Sequence, residues 1–324
     1  MDNRILARFL LDLESFMKRP FSRREYLLFQ SKAGLLLAAG ASGFLLPSPL
    51  KALDVPDIGI AVGGPGPATR AAVDLLGGMK AFVKQGQSVV IKPNMSFTGG
   101  VDDATNTNPE VVRELVAMCN EAGASRVRVL DNPLRPSELC IESFREACSL
   151  FDDDVVHALT NKAFFREVSI PGAETLKKTE IMRDVLESDV LIAAPVAKSH
   201  GSTGVSLSMK GMMGLILNRT VMHWRYDLHT AIVDLCRVLQ PRLVVIDGTR
   251  VLSSGGPGGP GTVLKENTVI ASRDMVAADA QAVSMFTWYG QKMEPRQVKH
   301  IRIAHERGLG RMDIEHLTRK KIQV

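Results

Sequence analysis

The residues best suited to chemistry cluster in a few short segments. Lys198, Ser199 and His200 follow the apolar run Val190–Ala194 and precede Gly201 and Gly204. Spaced by one residue, Lys198 and His200 would face the same side of an extended loop. The lysine would supply positive charge and the histidine a proton donor or acceptor near neutral pH. The plainer reading is a surface lysine beside a loop histidine that holds a structural hydrogen bond. Lys210 sits in Leu207–Gly214 (LSMKGMMG), a stretch with no other charge. A lysine among Met, Leu and Gly loses hydration, which lowers its pKa and suits it to act as base or nucleophile. It could equally bind a carboxylate or phosphate, or snorkel from a helix to water.

Other polar residues stand at the ends of apolar runs. Lys92 and Asn94 flank Pro93 after Ser88–Ile91 and could bind a substrate anion, and Asp247 ends Leu243–Ile246 as a possible ligand or base. Asp279 lies among Val276, Ala277, Ala278 and Ala280, so a buried carboxylate there needs a partner, for which Lys210 or Lys198 is expected. Asp274 reads as a helix N-cap. The loop Gly255–Gly261 (GGPGGPG) could bring backbone N–H groups of Gly256, Gly258 and Gly259 close to an anion, or act as a lid. It matches neither a Walker loop nor a dinucleotide fingerprint. His223 and Asp227 could share a helical face and bind a metal with His200, or simply begin a half-exposed helix near Trp224 and Tyr226.

These segments need elements to hold them. Strands are expected at Ile58–Val62, Ser88–Ile91, Arg126–Leu130, Glu167–Ile170, Val190–Ala194, Leu243–Ile246 and Thr268–Ala271. Helices are expected at Ala68–Val83, Pro109–Ala122, Ser137–Cys148, Glu180–Leu186, Leu228–Leu239, Met275–Trp288 and Pro295–Glu306. Several strands are continuous apolar runs, the pattern of strands covered on both faces. The alternation predicts an α/β fold: a mostly parallel central sheet with helices on both faces. Ligands of such sheets bind outside the carboxyl ends of the strands, where Lys92, Asn94, Lys198, His200 and Asp247 all fall.

Composition excludes some functions. Residues 1–52 carry eight Lys/Arg and four Asp/Glu, which leaves 32 basic against 31 acidic residues in the remainder. The net charge of +5 therefore belongs mostly to the leader, and no nucleic-acid partner is expected. The four cysteines, Cys119, Cys140, Cys148 and Cys236, form no C-x-x-C pair or iron–sulfur spacing. They read as small buried hydrophobes, with one or two disulfides open if the chain is exported.

Ser22-Arg23-Arg24 precedes the apolar run Ala33–Leu46, then Pro47, Pro49 and Ala52. Paired arginines before a short, moderately apolar, glycine-containing run fit a twin-arginine signal. The run is too short for a comfortable bilayer span. Residues 1–52 are therefore expected to be a leader, cleaved or kept as a tether, and 53–324 a single α/β domain. The expected partner is the twin-arginine export machinery. The expected location is the periplasm or the outer face of the cytoplasmic membrane, with no stable transmembrane span in the mature domain.

An ordered set of segments also resembles the domain-of-unknown-function 362 family. They are Ile91–Asn94 (IKPN), Thr105–Glu110 (TNTNPE), Glu121–Ala124 (EAGA), Ser188–His200 (SDVLIAAPVAKSH), Ser208–Leu215 (SMKGMMGL), Gly255–Gly261 and Ala271–Ala280 (ASRDMVAADA). The resemblance spans about 90 to 310. Many members of that family carry a ferredoxin-like cysteine segment, which this sequence lacks, so the resemblance does not imply built-in electron transfer. Lys198-x-His200 and the Lys210-Gly211 turn also bear a faint likeness to the nickel-pincer lactate racemases.

Three functional classes follow. The first is an exported enzyme acting on or with a small anionic molecule, with Lys92, Lys198 and Lys210 neutralising it and His200 moving a proton. Asp247 and Asp279 would orient those groups or hold a cation. The second is a non-catalytic accessory protein holding a metal or cofactor for a redox partner outside the cytoplasm, through His200, His223 and Asp247. The third is a scaffold of the same fold. The sequence leaves the substrate, cofactor and metal unknown.

Overall fold

A computed structural model describes residues 55–152 and 154–324; the expected leader, residues 1–52, lies outside the described residues. Ile58–Val62 (β1), Ser88–Pro93 (β2), Arg126–Asp131 (β3), Val156–Ala158 (β4), Val190–Ala194 (β7), Leu243–Leu252 (β10), Thr268–Ser272 (β12) and Arg319–Gln323 (β13) build the central sheet. Its order is β13-β1-β12-β10-β7-β2-β3-β4, and β12 alone runs against its neighbours along that path. The expected α/β class and mostly parallel sheet are therefore found.

Strand alternation divides the interior into two cores. On β7, Val190, Ile192 and Ala194 face one core, while Leu191 and Ala193 face the other; Leu243/Val245 and Val244/Ile246 do the same on β10. The first core is closed by Pro65–Leu75 (α1), Pro109–Glu121 (α2) and Ser137–Ala147 (α3). The second is closed by Ser208–Gly211 (α5), Leu228–Cys236 (α7), Met275–Met285 (α8) and Lys299–Glu306 (α9). Burying each large aliphatic side chain there stabilises the fold by roughly 1.5–3 kcal/mol. The helices therefore do cover both faces.

Local chemistry fixes the boundaries. Asn108 caps α2 by accepting from the Glu110 N–H, and Pro109 takes the first helical position, where no N–H is needed. Asp274 caps α8 by accepting from Val276 and Ala277. All four cysteines are buried and free.

The expected helix Glu180–Leu186 is corrected: Lys178–Met182 is strand β6, paired antiparallel with Phe165–Ser169 (β5) in a separate two-stranded sheet, and only Arg183–Glu187 (α4) is helical. Pairing of Ile181 with Arg166 and Met182 with Phe165 overrode a helix-like local pattern. The expectation that Lys198 and His200 sit on a loop is corrected too. Val196–His200 is strand β8, which continues β7 across Pro195 and pairs in parallel with the distal half of the ten-residue β10. Pro195 breaks the ladder because it has no N–H, but its carbonyl still accepts from the Asp247 N–H at 2.8 Å. Gly204–Ser206 (β9) folds back on β8, with Lys198 opposite Ser206 and His200 opposite Gly204. Val263–Leu264 (β11) and Thr220–Arg225 (α6) complete the elements used below.

Among the described residues, no helix is long and apolar enough to cross a membrane.

Candidate functional site

The carboxyl ends of β2, β3 and β8, together with α5 and α6, enclose a cavity of about 290 Å³. Its wall holds Lys92 and Asn94 from the end of β2, Asp131 from β3, Lys198 and His200 from β8, and Lys210 from α5. Arg219 and His223 come from the entry to α6 and from α6 itself. Residues more than a hundred positions apart, such as Lys92 and His223, thus meet because parallel strands end at one edge of the sheet.

Asp131 organises the floor. Its Oδ1 lies 3.2 Å from Lys92 Nζ and accepts from the Asn132 N–H at 2.9 Å. Its Oδ2 accepts from the Met95 N–H at 3.0 Å and the Ser96 hydroxyl at 3.1 Å. Both side chains are buried, so each ion supplies the charge compensation that burial demands of the other. Lys92 also donates to the Pro93 carbonyl. Burial lowers the Lys92 pKa, and the Asp131 charge works against that shift. Gly214 stands directly over the pair: a Cβ there would lie 2.2 Å from Asp131 Oδ1 and 2.5 Å from Lys92 Cε. Only glycine fits that approach.

Three further cations face the cavity without a carboxylate partner among the described residues. Lys198 donates to the Thr105 carbonyl and its ammonium stands 4.8 Å from the centre of the Phe97 ring. Burial, opposed by Asp131 but reinforced by Lys210, Lys92 and Arg219, pushes its pKa down to about 7. Lys210 is pushed down to about 8 by burial and by Arg219. Arg219 donates to the Asn132 carbonyl, and Asn132 in turn donates to the carbonyls of Ile216 and Leu217. That network ties the end of β3 to the segment that carries Arg219.

His200 is buried, and its ring stacks on His223 with centroids 6.1 Å apart. The end of β8 is anchored by Tyr289, whose hydroxyl accepts from the His200 N–H at 3.1 Å and donates to the Gly204 carbonyl at 2.9 Å. The expectation that His200 titrates near neutrality is corrected. Burial first, then Lys210, His223 and Lys198, push its pKa down to about 3. A cationic, poorly hydrated surrounding penalises the imidazolium.

The remaining expected site residues are engaged in structural contacts. Asp247 is wholly buried and accepts from Asn108 N at 2.7 Å, Thr249 N at 3.0 Å and Thr249 Oγ1 at 2.6 Å, so it fastens β10 to the start of α2 rather than lining the cavity. Asp279 is not paired with Lys198 or Lys210. Its carboxylate accepts from the Ser208 and Met209 N–H groups at 2.9 and 3.0 Å, which caps α5 and so positions Lys210. Burial raises its pKa to about 7. Asn94 lines the cavity but uses its Oδ1 on the Val196 N–H, joining β2 to β8.

The glycine loop forms a packed wall. The Gly256 N–H is spent on Ser199 Oγ at 2.9 Å and that of Gly259 on the Gly255 carbonyl at 3.1 Å. A Cβ on Gly256 would meet the Ser199 carbonyl oxygen at 2.0 Å, and one on Gly258 would meet the Phe97 ring at 2.8 Å. The loop contributes Pro257 to the cavity, and its glycines chiefly permit close backbone packing. Asp227 accepts from Thr230 N through Oδ1 and pairs with Lys299 at 2.8 Å through Oδ2, so both of its oxygens are already engaged. Among the described residues, no three His, Cys, Asp or Glu side chains converge as a metal-binding group.

Sequence reasoning missed Arg219, which follows no apolar strand and stands in a short turn before α6. Asp131, which ends β3, had a signal available in its place after the buried run of that strand, as for Lys92 after β2.

Comparison with known proteins places this arrangement in context. The thylakoid-associated protein sll1697 of Synechocystis is 24% identical over 225 residues, a match covering 65% of this chain and 66% of that protein. Among solved structures, the lactate racemase apoprotein of Thermoanaerobacterium thermosaccharolyticum aligns with a TM-score of 0.40 at 14% identity, over 58% of this chain and 49% of that one. A Thermotoga maritima protein aligns with a TM-score of 0.36 at 14% identity, over 57% of this chain and 51% of the other. The chain thus spans about half the length of these structural neighbours. The profile of the family described as Domain of unknown function (DUF362) matches residues 89–284, which hold every cavity-lining cation. With more than half of its length matched, the chain belongs to the domain-of-unknown-function 362 family.

Proposed function

We propose that this protein is an enzyme that binds a small anionic substrate or cofactor in the cavity at the carboxyl edge of the sheet. One observation carries the reading: Lys92, Lys198, Lys210 and Arg219 share one small cavity with a single carboxylate, Asp131, which Lys92 already engages. Buried cations in such excess are costly unless a counter-charge arrives. A dianion of a few non-hydrogen atoms supplies that charge and fits a volume of about 290 Å³. The amines of Lys198 and Lys210, with pKa values of about 7 and 8, exchange protons readily near neutrality. The test is thermal unfolding of the purified protein with increasing sulfate at constant ionic strength. Saturable stabilisation is expected, as for any ligand that binds only the folded state, and it should be lost in Lys210→Met. Identical midpoints in sulfate and in chloride would remove the reading.

A second reading, an accessory protein that holds a metal for a redox partner, is favoured by the stacked His200 and His223. It needs further ligands, and Asp227 and Asp247 are committed elsewhere.

We also propose that the chain is exported through the twin-arginine machinery and works in the periplasm or at the outer face of the cytoplasmic membrane, on the strength of Ser22-Arg23-Arg24 and the apolar run after it. Replacing Arg23 and Arg24 by lysine should retain the protein in the cytoplasm; undiminished export would refute this.

A further inference from the structure

Building on the anion-site reading, we infer that His200 serves the cavity as a fixed neutral hydrogen-bond donor, through Nε2–H, to an oxygen of the bound anion. It does not act as a base or as a metal ligand. The reason is a single backbone contact: the Ser202 N–H donates to His200 Nδ1 at 3.1 Å. A nitrogen that accepts a hydrogen bond carries a lone pair, so the proton of the neutral ring must sit on Nε2. A metal bound through Nε2 would need the opposite tautomer, with a proton on Nδ1 facing the Ser202 N–H.

The surroundings hold the ring in this state. The groups that face it are Lys198 on its own strand, Lys210 on α5 and His223 on α6, and each disfavours a second positive charge. The backbone is fixed by the Tyr289 hydroxyl on the His200 N–H. The turn after β8 places Ser202 two residues on, so the acceptor role of Nδ1 is set by local chain geometry. Among the described residues Nε2 makes no hydrogen bond of its own, and the ring lines the cavity. A preorganised neutral donor beside several amines suits a ligand with an acceptor oxygen, whose negative charge the donor receives without giving up its proton. Proton acceptance in this site then falls to a lysine amine.

The test uses full-length protein labelled with ¹⁵N-histidine, with the His200 signals assigned by their disappearance in His200→Gln. Long-range proton–nitrogen correlations in the ligand-free protein should show Nδ1 unprotonated and Nε2 protonated. Sulfate should shift the Nε2–H proton without changing the tautomer, and zinc alone should leave the His200 signals unchanged. Sulfate affinity should fall about tenfold in His200→Ala, and His200→Gln, which keeps an N–H donor, should recover most of it. A protonated Nδ1, displacement of the Nε2 proton by zinc, or His200→Gln as weak as His200→Ala overturns the inference. If the tautomer is as described but sulfate binds nowhere, both the donor role and the anion-site reading on which it rests are overturned. The tautomer readout, made without ligand, separates that result from a wrong histidine assignment.

Discussion

Anion binding in this cavity should be coupled to proton uptake, and the coupling can be worked out from the two lysines. A dianion is held by ammonium groups, so the binding-competent state has Lys198 and Lys210 both protonated. With pKa values of about 7 and 8, roughly half of Lys198 and nine-tenths of Lys210 carry the proton at pH 7. At pH 9 the fractions fall to about 1% and 9%. Apparent affinity scales with the competent fraction, so it should weaken about 500-fold between pH 7 and pH 9. Sulfate is the right probe because its own charge is constant over that range. Isothermal titration at fixed ionic strength keeps screening constant, and buffers of different ionisation enthalpy count the protons taken up. Lys198→Met should reduce the loss between pH 7 and pH 9 to about tenfold, the titration of Lys210 alone. Sulfate affinity in the native protein that varies less than threefold from pH 7 to pH 9 would refute the assignment of these amines as the anion's partners.

Two other outcomes follow from the same charges. Asp131→Asn leaves Lys92 buried without its counter-ion and should destabilise the fold by about 3–5 kcal/mol, read by denaturant titration; a change under 1 kcal/mol would mean that Lys92 is compensated elsewhere. Lys198→Met should stabilise the ligand-free protein in a pH-dependent way. The folded pKa of Lys198 lies below its ordinary value of 10.5, so the unfolded chain binds more protons between about pH 7 and 10.5. Native stability from this group is therefore lowest below pH 7 and recovers as pH rises toward 10.5. The advantage of the variant should be largest near pH 6, up to about 5 kcal/mol, and shrink through that window. An advantage that grows with pH would reverse the sign of the argument.

Much of the fold was legible in the residues. The apolar runs Val190–Ala194 and Leu243–Ile246 are flanked by turn signals, and hydrophobic burial on both faces leaves such runs little choice but a covered parallel strand. The caps Asn108 and Asp274 announce α2 and α8 because a side-chain acceptor next to free helical N–H groups is a local matter. The strand-end rule also pointed to Lys92, Asn94, Lys198 and His200, all of which line the cavity. Strand β6 was not legible, because its identity depends on β5 lying beside it. The partners of the carboxylates were not legible either. Sequence offers lysines to Asp279 and a cavity to Asp247, whereas the structure gives both to backbone N–H groups.

The sequence by itself determined most of the strands and helices around the two cores, because burial periodicity and capping act over a few residues. Tertiary structure alone decided that Asp131 meets Lys92, that Arg219 joins the cavity, and that the glycine loop packs on Ser199 and Phe97. Those pairings are set by strand order and register across the sheet, and a buried charge takes whichever partner the packing brings within reach.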